Sequence, residues 1–255
     1  MIDLYHALLS EPIFNLLIWL HNVLPGHDIG IAIIIMTVLV KLILWPLQSK
    51  ALKSQKALQD LQPKVQALKK KYPDKADQEK MAKEMMEIYS KEKVNPLSSC
   101  LPLLIQIPVF IALYRSLMHG LSSSGFETLY SFVANPGTIQ PMMFGLIDLA
   151  NPNYVLAAIA AVAQYFQAKM MVANQQPKKV PGAEDEQMLA TMNKSMVYMM
   201  PGITLFIGVQ LPGGLALYWL AMTLLTILQQ QLFFKRKSQS TEDGTRQNPI
   251  EAETK

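Results

Sequence analysis

A lysine interrupts the apolar stretch "TVLVKLILWP", residues 37–46, and nothing else from Met1 to Ser49 is basic. On a helix Thr37, Lys41, Trp45 and Gln48 follow at steps of 4, 4 and 3, so they share one face. A second stripe, Trp219, Thr223, Thr226 and Gln230, runs at steps of 4, 3 and 4. Ser98, Ser99 and Gln106 add polar groups to one further apolar run, and Gln164 and Gln167 to another. An ammonium among hydroxyls and amides can attract an anionic group by charge and hold it by hydrogen bonds. Covalent chemistry needs more. An intramembrane hydrolase requires a nucleophile and a base in register, and the apolar runs hold no histidine, aspartate or glutamate.

Two readings of Lys41 stand side by side. Pro46 is five residues on, about 7–8 Å at the helical rise, so a snorkelling side chain could stretch part of the way to the interface. Alternatively Lys41 faces a cavity. A charge at mid-span costs roughly 2.5–3.5 kcal/mol on insertion scales and usually faces water. With no carboxylate in any span, water and a visiting acidic group are the expected partners, which implies an open hydrated groove. For the glutamines, interhelical hydrogen bonding competes with a functional role, and for Trp219 ordinary packing does.

The elements that must position these residues follow from hydropathy. The chain has 255 residues, 51% hydrophobic and 16% charged, with mean hydropathy +0.19; a soluble domain carries about 25% charged residues. A span needs roughly 17–25 apolar residues as a helix, and five runs qualify: 30–47, 96–118, 151–171, 195–211 and 215–234. The last two are divided by Pro212-Gly213-Gly214, read as a tight turn over 212–214. The fold expected is therefore an all-α membrane protein.

Basic residues give the orientation, since cytoplasmic loops retain them. Residues 48–95 hold twelve Lys and Arg, 169–194 four and 235–255 five, whereas 1–30, 119–150 and 212–214 hold none. The N-terminus is thus expected outside and the C-terminus in the cytoplasm. Arg115, near the outer end of its span, is expected to snorkel to the headgroups. Residues 1–29 read as an extracytoplasmic amphipathic helix in the interface, with Trp19 at headgroup depth. A sixth span is the rival, and a secretory signal is disfavoured by the absence of an n-region charge and cleavage site.

The loop 48–95 reads as a cytoplasmic helical hairpin. Leu58, Leu61, Val65, Leu68 and Tyr72 recur at helical spacing, as do Met81, Met85 and Ile88 after a break at "KYPDKAD". Pro63 is expected to kink or delay the first arm. Twelve lysines against seven acids suit contact with anionic headgroups, or a docking arm for a ribosome or nascent chain. Residues 119–150 form an extracytoplasmic loop and 172–194 a cytoplasmic one, and the polar tail 235–255 is expected to be disordered. One cysteine, Cys100, excludes an intramolecular disulfide or multi-thiolate site, and the four scattered histidines lack metal-ligand spacing. No cofactor or metal is expected, and the basic residues between apolar runs are a topology signal, not a nucleic-acid site.

At these residues the chain resembles the YidC/Oxa membrane insertases. The resemblance is carried by "LILWPLQSKALKSQKALQDLQPKVQALKKKYPD", "KEKVNPLSSCLPLLIQIPVFIALYRSL", "NPNYVLAAIAAVAQYFQAKMM" and "MMPGITLFIGVQLPGGLALYWLAMTLLTILQQQLF", and covers about Glu11 to Phe234. It implies a five-transmembrane-helix core with a cytoplasmic hairpin and a groove open to lipid and cytoplasm. It implies insertion of nascent membrane proteins as a monomer, alone or beside the Sec translocon, with the ribosome and membrane lipids as further candidate partners and no enzymatic step. The family's groove arginine corresponds to Lys41, while Thr37, Gln106 and Trp219 match groove or core positions and Gln167 matches more loosely. Without an extra first span, lipoprotein cysteine or organellar transit peptide, a bacterial plasma membrane is the expected location. A small anion transporter or channel built on Lys41 is the alternative from another class; no inverted repeat supports it.

Overall fold

The structure, a computed structural model, describes residues 2–72, 77–95, 101–173 and 197–247. It is almost entirely helical. Helix α1 (Ile2–Tyr5) passes through one π turn (His6–Ser10) into α2 (Glu11–Val23). Helix α3 (Ile29–Asp60) leads to α4 (Gln62–Lys71) and α5 (Gln78–Lys91), and α6 (Leu101–Leu121) follows. A loop with the two-residue strands β1 (Met142–Met143) and β2 (Ile147–Asp148) precedes α7 (Tyr154–Ala173), α8 (Val197–Gly208) and α9 (Gly213–Gln247).

Among the described residues, three stretches are long and apolar enough to cross a membrane: Ile29–Val65, Leu104–Leu121 and Gly213–Phe233. Helix α7 has a span's length, but Gln164, Gln167 and Lys169 lower its apolar content. The described part of α8 is shorter than a span.

Helix α3 runs on into the first hairpin arm instead of ending near Leu47. Pro46 lies inside it and removes only one ladder hydrogen bond, the one to the Leu42 carbonyl. The break comes at Leu61. Pro63 then falls in the first turn of α4, where its missing N–H costs nothing. The second arm packs on the first through buried Leu68 and a charged rim. There Lys71 Nζ donates to Glu84 at 2.8 Å, Tyr72 donates to the same carboxylate at 2.6 Å, and Lys64 pairs with Glu92. The lysine beside it, then the tyrosine, hold the Glu84 carboxyl below its usual range.

The core lies at the Ile29 end of the bundle. Leu17 and Ile18 of α2, Ile29, Ile33 and Met36 of α3, Leu113 and Leu117 of α6, and Leu215 of α9 are essentially sealed from solvent. Helix α2 therefore closes this end by packing on α3 and α6, with Trp19 and Val23 left exposed on its other side. Asn15 ties it to the following loop: its Nδ2 donates to the carbonyls of Glu11 and Thr128, and its Oδ1 accepts from Tyr130 N–H at 2.6 Å. Arg115 Nη1 donates to His6 Nε2 of the π turn at 3.2 Å, with both side chains at the surface.

Two local expectations are corrected. Helix α9 begins at Gly213, so the turn after α8 occupies Val209–Pro212 and the glycine pair serves another purpose. Gly213 N–H donates to the Asn151 carbonyl and Gly214 N–H to that of Leu149, both at 2.9 Å. A Cβ on Gly213 would lie 2.9 Å from the Asp148 carbonyl oxygen, so glycine is needed for close backbone approach, not for a turn. The tail is not wholly irregular either, because α9 continues to Gln247. An established helix propagates at little cost where no proline intervenes, and the next one is Pro249.

Candidate functional site

Helix α9 is the hub, touching α3, α6 and α7 through successive side chains. Nearest its N-terminus, Gln106 of α6 donates to the hydroxyl of buried Tyr218, and Phe110 meets Trp219 edge to face at 6.0 Å. Further along, Thr223 donates to Gln164 Oε1 of α7 at 3.3 Å. Next comes Thr226, and then Gln229, whose Nε2 reaches Ser49 Oγ at 3.3 Å and the Trp45 carbonyl at 3.5 Å on α3.

Lys41 lies between α3 and α9 and is only 2% exposed. Its Nζ donates to Gln48 Oε1, two turns along its own helix, and to Thr226 Oγ1 at 2.9 Å. Helical side chains lean towards the N-terminus, so Gln48 leans back while Lys41 stretches forward along α3. The direction is that of snorkelling, but the ammonium stops inside the protein. Thr226 in turn donates to the Met222 carbonyl at 2.7 Å, leaving its lone pairs for the lysine.

The sequence-derived set is thus divided. Lys41 has partners on two helices. Thr37, one turn before it, is fully buried, and its hydroxyl donates to the Ile33 carbonyl at 2.6 Å, so it faces its own backbone. Gln106 and half-buried Trp219 belong to the α6–α9 contact, and Gln167 is half-buried on α7, one turn past Gln164. Ser98 and Ser99 lie outside the described residues. Sequence reasoning missed Tyr218 and the pairing of Gln48 and Thr226 with Lys41. The signal for that pairing was present, since both residues stand on the two polar stripes.

Chemically, the cluster offers a cation held by neutral acceptors. Two of the three ammonium donors are engaged by oxygen atoms that carry no charge, so the positive charge is solvated by the protein but not cancelled. Gln230, adjacent to Gln229, is buried, and its Oε1 has no hydrogen-bond partner among the described residues. Among the described residues no group of three or more His, Cys, Asp or Glu could hold a metal ion.

The family model described as 60Kd inner membrane protein matches residues 19–241. The membrane protein insertase YidC of Geobacter sulfurreducens is 37% identical over 242 residues, covering 94% of this chain and 39% of that protein. Membrane protein insertase YidC 1 of Listeria monocytogenes is 33% identical over 220 residues, covering 83% of this chain and 67% of its own. Among solved structures, an active YidC insertase with its first transmembrane domain resolved matches with TM-score 0.54 and 26% identity, over 88% of this chain and 45% of that one. The chain spans about two fifths of the Geobacter relative and two thirds of the Listeria one. With its family model matched over most of its length and its helices arranged like those of a solved YidC, the chain belongs to the YidC/Oxa family of membrane proteins.

Proposed function

We propose that this protein is a membrane protein insertase that accepts segments of nascent membrane proteins beside Lys41 and releases them into lipid. The observation that carries the reading is the Lys41 ammonium, buried between α3 and α9 against Gln48 and Thr226, with no carboxylate among its partners in the described residues. A span carrying an uncancelled charge is costly, and that cost is understandable where the charge has an intermittent acidic visitor.

In this reading α3, α6, α7, α8 and α9 are five spans, the α4–α5 hairpin is cytoplasmic, and the N-terminus lies outside a bacterial plasma membrane. A polar client terminus or loop enters a hydrated groove from the cytoplasm by parting the contacts of Lys41. Water and the ammonium lower the cost of carrying acidic groups partway across. Apolar client segments then move along α7 and α9, where Val155, Ile159, Val162, Phe166, Leu224 and Leu228 are exposed. Transfer into lipid is driven by about 0.8 kcal/mol per buried methylene, and a membrane potential adds roughly 2.3 kcal/mol per charge per 100 mV. No covalent step is needed. The protein acts as a monomer, alone or beside the Sec translocon, and the hairpin is the candidate ribosome contact.

The test is reconstitution. Vesicles containing the purified chain should convert a translated client to a protease-protected, carbonate-resistant form and should not conduct small anions. Anion flux without client insertion would overturn the insertase reading in favour of a transporter built on Lys41.

A further inference from the structure

We propose that the β1–β2 hairpin is a lipid anchor, seated in the bilayer leaflet at the Ile29 end of α3 with Phe144 and Leu146 among the lipids. The proposal rests on reading α3 as a membrane span, but not on what the protein inserts.

Four observations carry it. The first is position. Asp28 caps α3 by accepting from Ile31 N–H through Oδ1, and its other oxygen accepts from Phe144 N–H at 2.6 Å. Met143 packs so tightly on Gly30 that a Cβ there would lie 2.5 Å from its Cγ. The hairpin tip is therefore fastened to the first turn of α3, at the level where that helix would enter the bilayer.

The second is exposure. At the tip, Phe144 is 63% and Leu146 83% exposed, while Met143 beneath them is buried. The third is backbone. Leu146 N–H closes a turn onto the Met143 carbonyl, with φ of 52° at Phe144 and 68° at Gly145. Positive φ at both central residues is the type I′ pattern, for which Asn or Asp followed by Gly is favoured. A phenylalanine in that first place is strained and, in water, unrewarded; an observed outlier of this kind points to function.

The fourth is charge. Residues 128–147 carry no charge, and the two carboxylates at the base of the hairpin are held by backbone donors, Asp28 by Ile31 and Phe144 N–H and Asp148 by Ala150 and Asn151 N–H, which leaves the turn itself uncharged. Aromatic and aliphatic groups on a rigid turn, free of charge and level with a span's end, fit the headgroup and upper acyl region. The occupant is the lipid of the leaflet that α3 enters.

The experiment places an environment-sensitive fluorophore on a single cysteine in the Cys100→Ser chain, at position 146 (Leu146→Cys) and, as control, at position 43 (Ile43→Cys) in α3. A Phe144→Cys variant gives a second reading of the tip. The full chain is reconstituted in phosphatidylethanolamine and phosphatidylglycerol vesicles. Labels at 146 and 144 should emit to the blue of the free dye. Nitroxides near the lipid headgroup should quench them more strongly than nitroxides at the chain end, with the reverse order at 43. Tip labels quenched by aqueous iodide and not by nitroxide lipids, with 43 still in lipid, would overturn the anchor alone. Iodide quenching at all three sites would instead show that α3 is not in the bilayer, and the span reading would fall with the anchor. Tip labels shielded from both quenchers would mean protein cover, such as a second copy, and would also overturn it.

Discussion

Substitution of Lys41 in an insertion assay with matched clients tests the proposed electrostatics most directly. A client carboxylate brought to about 4 Å from the ammonium gains about 4 kcal/mol at an effective dielectric constant of about 20. To arrive there it displaces Gln48 Oε1 or Thr226 Oγ1, the two acceptors already in place. A hydrogen bond to a charged group contributes about 1.5–3 kcal/mol. The net preference for an acidic over a neutral tail is then about 1–2.5 kcal/mol, roughly 5- to 60-fold at 1.4 kcal/mol per decade. The assay reconstitutes each variant and scores protease-protected insertion of two reporters that differ only in Asp/Glu against Asn/Gln in the translocated tail. Lys41→Met should abolish the ratio, Lys41→Glu should reverse it, and Lys41→Arg should keep most of it. Gln48→Leu should raise the ratio, because the client no longer displaces a resident acceptor, while lowering the thermal midpoint. If Lys41→Glu gave the same ratio as the unaltered chain, the electrostatic role of Lys41 would be refuted.

Three further predictions concern the end of the bundle that α2 closes. Asn15→Leu removes three hydrogen bonds and leaves Tyr130 N–H without its acceptor; it should destabilise by about 2–3 kcal/mol and speed proteolysis within 122–150, whereas unchanged cleavage would show that the loop is held otherwise. Gly213→Ala meets two backbone carbonyl oxygens, at 2.9 and 3.2 Å, but Gly214→Ala meets chiefly the ends of Leu121 and Ile33 side chains, at 3.3 and 3.4 Å. The first should cost about 1–3 kcal/mol by overpacking and the second clearly less, so equal thermal midpoints would contradict the close-approach role. Burial of His21, with His27 beside it, lowers its imidazole pKa from the usual 6.5, against the opposing pull of Asn22 and Asp28. The unfolded chain therefore binds a proton more readily. The stability this contributes is present above pH 6.5 and lost as pH falls through the lower folded-state value. Thermal midpoints in detergent should drop on acidification from pH 7.5 to 5.5 (~2 pH units around the histidine range), and less so in a His21→Gln chain; an equal drop in both would remove His21 as the cause.

What the sequence disclosed and what it withheld divide along a physical line. Apolar runs and helical spacing depend on neighbours a few residues apart, and α3, α6, α7 and α9 were legible from them, as was the helical hairpin. Contacts across the bundle depend on which faces meet. Gly213-Gly214 looks like a turn because glycine usually serves one, and only the approach of Asp148 and Asn151 shows the other use. Tyr218 passes for an ordinary aromatic beside Trp219 until Gln106 arrives from α6. The tail reads as polar and unstructured because composition carries no record of the helix it continues.

Lys41 shows the same limit at the site itself. A search for its partner along the sequence looks for a carboxylate, finds none in the spans, and infers water and an open groove. The structure supplies two neutral oxygens, one from each of the polar stripes. For binding an acidic visitor this arrangement has an advantage that a buried ion pair lacks. A resident carboxylate would cancel the field and, once displaced, would be left as an uncompensated charge costing about 3–5 kcal/mol. An amide and a hydroxyl steady the ammonium, leave its charge standing, and release it for the loss of one hydrogen bond. Absence of an acid from the spans is therefore a requirement of the proposed mechanism, and introducing one beside Lys41, as in Thr226→Glu, should suppress insertion of acidic and neutral tails to the same level while strengthening the α3–α9 contact. Undiminished preference for the acidic tail in that variant would show that the charge on Lys41 is not what the client meets.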